Sequence, residues 1–329
     1  MSRRTRARIV GVGAAVGEQI LTNFDLEKMV DTSDEWIVTR TGIRERRIAR
    51  PDVATSDLAV AAGREALVHA GLEAAALDMV IVGTVTPDMP FPCTACLVAS
   101  RLGIPEVPAF DLSSGCTGFL YACAAAASFL DTGLYRRILV IGGDTLSRIV
   151  DWQDRSTCVL FGDGVGAAVL VAEEGERGFL GFRLGSDADK SEHLSLPAGG
   201  SRLPASAETV AGRLHYLRMD GQEVFKFAVR ATTDASLRLL EELGLSPEEV
   251  DLFIPHQANR RIVDAAVQRL GFPPEKVMVN LERYGNMSAG SIPVALDEAI
   301  RCGRVKEGDL LLMVAFGAGL SWAAAACRW

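Results

Sequence analysis

Two stretches of the chain repeat one alternation of apolar and polar positions. Residues 64–86 read REALVHAGLEAAALDMVIVGTVT and residues 237–258 read LRLLEELGLSPEEVDLFIPHQA. In each, apolar positions recur at helical spacing until a glycine, Gly71 or Gly244, stops them; a short acidic connector and a wholly apolar strand follow. The pattern continues downstream, where SRLGIPEVPAFDLSSGC matches QRLGFPPEKVMVNLERYGN: a Leu-Gly helix end, a proline turn, a short strand, then glycine and a polar residue. Gly115–Cys116 and Gly285–Asn286 stand 170 positions apart, as do Gly133 and Gly303 at the ends of the next helices; the strands RRILVIGG and DLLLMVAFG follow. These strands have no polar face, so they read as parallel or mixed sheets covered by helices on both sides.

An α/β chain of two similar halves follows, divided near residue 175: residues 1–175 and residues 176–329. A pseudo-twofold axis between them would bring Cys116 and Asn286 together. FLYACAAAASFL, directly after Cys116, is apolar nearly all round, and its helix belongs in the middle of the protein.

Composition narrows this only slightly. With 49% hydrophobic residues and 32 glycines in 329 residues, the chain reads as a well-cored globular protein. LLLMVAFGAGL is too short and too glycine-broken to span a membrane. The basic start, MSRRTRARIVGVGAAVGE, continues as a strand-like run without a cleavage site, which favours a cytoplasmic protein over a signal peptide. A net charge of −8 argues against general nucleic-acid binding, although RTGIRERRIAR and Arg260–Arg261 are locally basic. Seven scattered cysteines make no disulfide framework. Cys93 and Cys96 form a Cys-X-X-Cys with apolar flanks and no second pair at zinc spacing, and read as structural thiols; no metal motif is present.

Cys116 is the first candidate for chemistry. At a helix N-terminus, free N–H groups and the helix dipole favour a thiolate, and the flanking Gly115 and Gly118 admit a substrate backbone; a buried structural thiol is the alternative. His256 follows the buried strand VDLFIP at its carboxyl end, where α/β sites collect, and Thr86 holds the matching place in the first half. A capping or hydrogen-bonding histidine is the plainer reading. Asn286 heads the helix that mirrors the Cys116 helix, as an N-cap or as a site residue in register with the cysteine. Cys, His and Asn together suit thiol chemistry on an acyl group. The AFGAGLSW turn can aim a backbone N–H at an oxyanion, or simply pack tightly.

DTSDEWIVTRTGIRERR, the Cys116 segment, FGDGVGAAVL, PHQAN, YGNMSAGSIPVALDEA and AFGAGLSW, in that order along the whole chain, resemble β-ketoacyl-acyl carrier protein synthase III. The resemblance implies a thiolase fold, two halves stacked as a five-layered αβαβα sandwich, and a homodimer. It implies that Cys116 takes the acyl group from acyl-CoA, that His256 and Asn286 stabilise the enolate formed when malonyl-acyl carrier protein loses carbon dioxide, and that the Cys116 and Ala318 amides form the oxyanion hole. It further places Trp36, Arg40 and Arg155 at CoA, Lys226, Arg230 and Arg261 at the carrier protein, and Phe91 at the acyl pocket across the dimer. No cofactor or metal is implied. The chain departs from the family pattern in having SSGCTGF around the cysteine, GAG in the last turn, and Met287 beside Asn286. Within the superfamily the same residues also serve starter synthases of polyketides and secondary metabolites and acyltransferases. A non-catalytic scaffold would not need all three side chains. GVGAAVG superficially resembles the dinucleotide fingerprint of an NAD-dependent oxidoreductase, but its spacing is wrong and no helix starts there.

Overall fold

The computed structural model describes residues 5–329, so Met1–Arg4 of the basic start lie outside the described residues. Nine strands build two sheets. The first contains β1 (Thr5–Val16), β2 (Met79–Gly83), β3 (Ala109–Leu112), β4 (Arg137–Thr145) and β5 (Asp163–Glu174), in spatial order β1-β5-β4-β2-β3. The second contains β6 (Gly178–Ser186), β7 (Leu252–Pro255), β8 (Leu310–Gly317) and β9 (Ser321–Arg328), in spatial order β6-β9-β8-β7. β2 runs parallel to β3 and β4, and β7 parallel to β8; β5 and β9 are antiparallel to their neighbours. The order β6-β9-β8-β7 matches β1-β5-β4-β2, and the chain leaves the first sheet at β5 and enters the second at β6, across Gly175.

One expected strand is missing. The segment matching β3 in the second half makes a single parallel bridge, Val277 to Phe253. The Gln257 side chain takes the ladder's place: its amide donates to the carbonyls of Pro255 and Met278 at 2.7 and 3.1 Å and its oxygen accepts the Asn280 N–H at 3.0 Å.

Helices fill three layers around the sheets. α1 (Thr55–Ala70) and α2 (Thr94–Arg101) cover the outer face of the first sheet, α4 (Gly221–Leu243) and α5 (Arg260–Leu270) that of the second, and α3 (Gly118–Asp131) and α6 (Ser291–Arg301) lie between. Strand period two sorts the side chains: Met79 and Ile81 face α3 and the central core, whereas Val80 and Val82 face α1 and α2. Likewise Leu311 and Met313 point inward and Leu310 and Leu312 outward. α3 packs by its alanines, Ala122, Ala126 and Ala127, which is why so apolar a helix suits the middle layer. GVGAAVG lies mostly in β1 and not in a phosphate loop; Gly11 and Gly13 lie under α1, where a Cβ at Gly11 would stand 2.3 Å from the Ala66 oxygen. The short helix Asn23–Leu26 is capped by Thr22 through a capping box.

Candidate active site

Cys116 sits in a single 3-10 turn, Gly115–Thr117, from which α3 starts at Gly118. Gly115 has φ 54°. A Cβ at Gly115 would stand 2.8 Å from the Ala318 nitrogen, and one at Gly317 2.6 Å from the Cys116 nitrogen. The two bare positions therefore let the Cys116 and Ala318 amides approach each other beside the thiol. In the GAG turn the left-handed residue is Gly319, φ 94°, so an alanine at 318 meets no backbone conflict.

His256 follows β7, whose ladder to β8 continues through the His256 N–H to the Val314 carbonyl at 2.8 Å. Its ring is buried, packs edge-on against Phe316 at 5.2 Å, and neither ring nitrogen has a partner among the described residues. Burial drives its pKa down to about 3, so the imidazole is neutral and keeps an N–H to donate. Asn286 is not an N-cap of α6, which begins five residues later; it precedes the 3-10 turn Ser288–Gly290. Its Oδ1 accepts the Ser288 N–H at 2.8 Å and its backbone pairs with Leu160 and Gly162, which fixes the side chain and leaves Nδ2 as its free donor.

Cys116, His256 and Asn286 line one cavity of about 270 Å³, which Trp36 and Arg40 border at its outer end. Burial pushes the Cys116 thiol up to about 12; the facing Asp144 adds to the rise, while the Ser288 hydroxyl and the backbone amide oppose it. Burial thus works against the thiolate that the helix end favours. Met287 is buried against Gly164 and does not line the cavity.

The other sequence candidates divide by place. The Arg155 and Arg40 guanidinium groups stand 5.0 and 5.9 Å from the Trp36 ring, and Arg155 also donates to the Asp31 carbonyl at 2.7 Å. Lys226 and Arg230, on α4, border a surface groove with Lys190 and Arg269. Arg261, at the start of α5, lies over the Phe225 ring, and Phe225 borders both groove and cavity. Phe91 is 84% exposed and lines no part of its own chain's cavity. Among the described residues no three His, Cys, Asp or Glu side chains group as a metal site, and no helix is long and apolar enough to cross a membrane.

Two residues behind Cys116 have no counterpart in the sequence expectations. Asp144, fully buried, accepts at Oδ1 from the Thr84 and Thr86 hydroxyls and from the Val85 and Thr86 N–H groups; its Oδ2 has no partner. Burial raises the pKa of both Asp144 and Cys116, and Ser288, buried with φ 50° and neighbour to both, opposes the rise in each. A charge directly after the apolar run RRILVIGG was the available signal for Asp144; a serine gives none for positive φ.

Comparison with known proteins agrees with this geometry. A family model described as 3-oxoacyl-[acyl-carrier-protein (ACP)] synthase III matches residues 110–188, and its C-terminal companion matches residues 240–329. The chain is 57% identical to the β-ketoacyl-[acyl-carrier-protein] synthase III of Caldanaerobacter subterraneus subsp. tengcongensis, over 100% of this chain and 99% of the relative. It superposes on the crystal structure of the β-ketoacyl-[acyl carrier protein] synthase III of Thermus thermophilus with a TM-score of 0.92 and 50% identity, over 98% and 99% of the two chains. The priming β-ketosynthase of the R1128 polyketide pathway superposes with a TM-score of 0.92 at 37% identity, over 100% and 97%. The chain has the thiolase fold and belongs to the β-ketoacyl-[acyl-carrier-protein] synthase III family, the acyltransferases that act as condensing enzymes.

Proposed function

We propose that the chain joins an acyl-CoA primer to malonyl-acyl carrier protein by decarboxylative Claisen condensation, through an acyl-Cys116 intermediate, and so initiates fatty acid synthesis. The observation that carries this reading is the convergence of Cys116, His256 and Asn286 on one cavity. In the first stage the Cys116 sulfur attacks the thioester carbonyl, whose developing oxyanion meets the Cys116 and Ala318 amides. The bond to the CoA sulfur breaks, and CoA leaves as the thiol with the proton that Cys116 gave up. In the second stage the malonyl carboxylate departs as carbon dioxide. Its electron pair passes into an enolate whose oxygen receives hydrogen bonds from neutral His256 and from Asn286 Nδ2. The carbanion then attacks the acyl-cysteine, and the Cys116 sulfur leaves and takes a proton from water. A histidine held neutral by burial donates without carrying a proton acidic enough to quench the carbanion.

Trp36, Arg40 and Arg155 would hold the adenine and phosphates of CoA at the outer end, and Lys226, Arg230 and Arg261 would meet the acidic carrier protein beside it. Exposed Phe91 is suited to closing the acyl pocket of a second copy, in a cytoplasmic homodimer of two 1–175/176–329 protomers that needs no cofactor. The test is intact-protein mass spectrometry after incubation with short, branched and medium acyl-CoAs, followed by malonyl-acyl carrier protein. An acyl adduct lost in Cys116→Ala, and discharged as 3-oxoacyl-carrier protein in wild type but not in Asn286→Ala, is expected. Absence of any adduct overturns the reading.

A further inference from the structure

Arg46 lines no part of the cavity, yet it is packed against the backbone that carries Asn286. Alone among the arginines of RTGIRERRIAR it is fully buried, on the short strand Glu45–Ile48. Its guanidinium acts as a two-armed fork. Nη1 donates to the Leu21 carbonyl at 3.2 Å and to Asn23 Oδ1 at 2.8 Å, and Nη2 donates to the Val159 carbonyl at 2.6 Å. The residues directly after Val159 pair with Asn286. The Asn286 N–H donates to the Leu160 carbonyl at 2.9 Å, and the Gly162 N–H donates to the Asn286 carbonyl at 3.0 Å. The stem of the same arginine fills the space beside this pairing. A Cβ at Gly285 would stand 3.1 Å from the Arg46 Cβ, and one at Gly162 would stand 3.2 Å from it. Gly285, with φ 66°, is the residue immediately before Asn286. Two restraints therefore aim Asn286 Nδ2: the Ser288 N–H on its side-chain oxygen, and a backbone pairing whose two sides both rest on Arg46.

We propose that Arg46 is a positioning residue for the condensation step, holding the Val159–Gly162 segment so that Asn286 Nδ2 points at the enolate oxygen. This role rests on the condensation reading for its catalytic consequence, although the placement of Asn286 by Arg46 does not. Only a rigid planar fork holds Leu21 and Asn23 on one arm and Val159 on the other; an ammonium is a single point charge on a flexible stem. Misplacement of a reacting group by about 1 Å costs on the order of a hundredfold in rate. Acyl loading uses Cys116 and the Cys116 and Ala318 amides, which stand on other elements, so it should be spared.

Full-length wild type, Arg46→Met, Arg46→Lys and Asn286→Ala are loaded with a short acyl-CoA, and discharge of the acyl-enzyme by malonyl-acyl carrier protein is followed in a single turnover by intact-protein mass spectrometry. Arg46→Lys keeps the charge and serves should methionine prevent folding. In both Arg46 variants the maximal discharge rate should fall about tenfold or more. The half-saturating carrier-protein concentration and the loading rate should stay within about twofold of wild type. Leu67→Ala, a core truncation on α1 in the outer layer, controls for lost stability and should discharge at the wild-type rate. Hydrogen exchange gives a second readout that needs no activity: the Gly162 and Asn286 amides should exchange about tenfold faster in the Arg46 variants, with the β1–β5 ladder changed less. Unchanged exchange at Gly162 and Asn286, loading slowed as much as discharge, or equal slowing in Leu67→Ala would overturn the proposal. Discharge of Asn286→Ala at the wild-type rate would instead overturn the condensation reading, and the exchange result alone would then decide whether Arg46 places Asn286.

Discussion

The protonation state of Cys116 can be decided by its alkylation rate as a function of pH. Two opposing influences act on the thiol. The first turn of α3, the backbone amide and the Ser288 hydroxyl favour the anion, while burial and the facing Asp144 disfavour it. The balance drives the thiol from an ordinary value of 9.0 to about 12. At pH 7 that leaves a thiolate fraction of roughly 10⁻⁵, against roughly 10⁻² for an unperturbed thiol, so alkylation should be about a thousand times slower than in an unfolded peptide spanning Ser114–Tyr121. The assay follows iodoacetamide labelling of Cys116 by peptide mass spectrometry between pH 6 and about 10. The expected rate climbs about tenfold per pH unit without levelling. Asp144→Asn should raise the rate at each pH by removing the facing charge, and Ser288→Ala should lower it. A plateau between about pH 6 and 8 would refute the argument, because it would make the helix end stronger than burial and the thiolate the resting form.

Three further outcomes follow from the same geometry. The unfolded chain protonates His256 near pH 6.5 whereas the folded one resists until about pH 3, so its contribution to stability is complete above pH 6.5 and lost as pH falls through that window. In urea unfolding, His256→Gln should therefore have a stability–pH slope shallower than wild type by about 1.4 kcal/mol per pH unit below pH 6, and parallel curves would contradict it. Buried Arg46 donates to the Leu21 and Val159 carbonyls and to Asn23 Oδ1; Arg46→Met removes all three bonds and should cost about 3 kcal/mol in the same assay, with unchanged stability as the contrary result. A Cβ at position 317 would stand 2.6 Å from the Cys116 nitrogen, so Gly317→Ala should slow acyl loading by about a hundredfold or more while circular dichroism is unchanged. Loading at the wild-type rate would remove the two amides from the mechanism.

The layers could be read from the sequence because they depend on local pattern. Glycine stops 170 positions apart, strands without a polar face and an alanine-rich helix each demand a particular packing partner. What stayed hidden depends on distant polar groups. Arg46 belongs to a stretch, RTGIRERRIAR, that reads as a basic surface, yet its guanidinium lies in the core and reaches Val159, 113 residues away. The lost strand at 277–280 depends on one glutamine that outcompetes a backbone ladder. Cys116, His256 and Asn286 stood out in the sequence through repeat register, whereas Asp144 and Ser288 emerge only when β4 and the Ser288 turn are brought behind Cys116.

The repeat also sets groups of different polarity on the two faces of the Cys116–Asn286 pair. An offset of 170 relates Cys116 to Asn286 and Thr86 to His256, so the pseudo-twofold axis generates two related environments, one on either side of the pair. At the end of β7 stands a histidine whose ring nitrogens bond to nothing, beside a cavity that reaches the surface at Arg40. At the end of β2 the matching position is Thr86, whose hydroxyl and amide both bond to Asp144, as do Thr84 and the Val85 amide. Those bonds consume the donors that would otherwise face a substrate. The first half has thus paired its strand-end polarity in a cluster beneath Cys116, and the second half has left its own unpaired. Asp144 raises the Cys116 thiol directly by its charge, while Ser288, neighbour to both, lowers it. For that reason Asp144→Asn should alter the pH dependence of Cys116 more than the binding of any acyl-CoA, and a change confined to acyl-CoA affinity would place Asp144 in the binding surface instead.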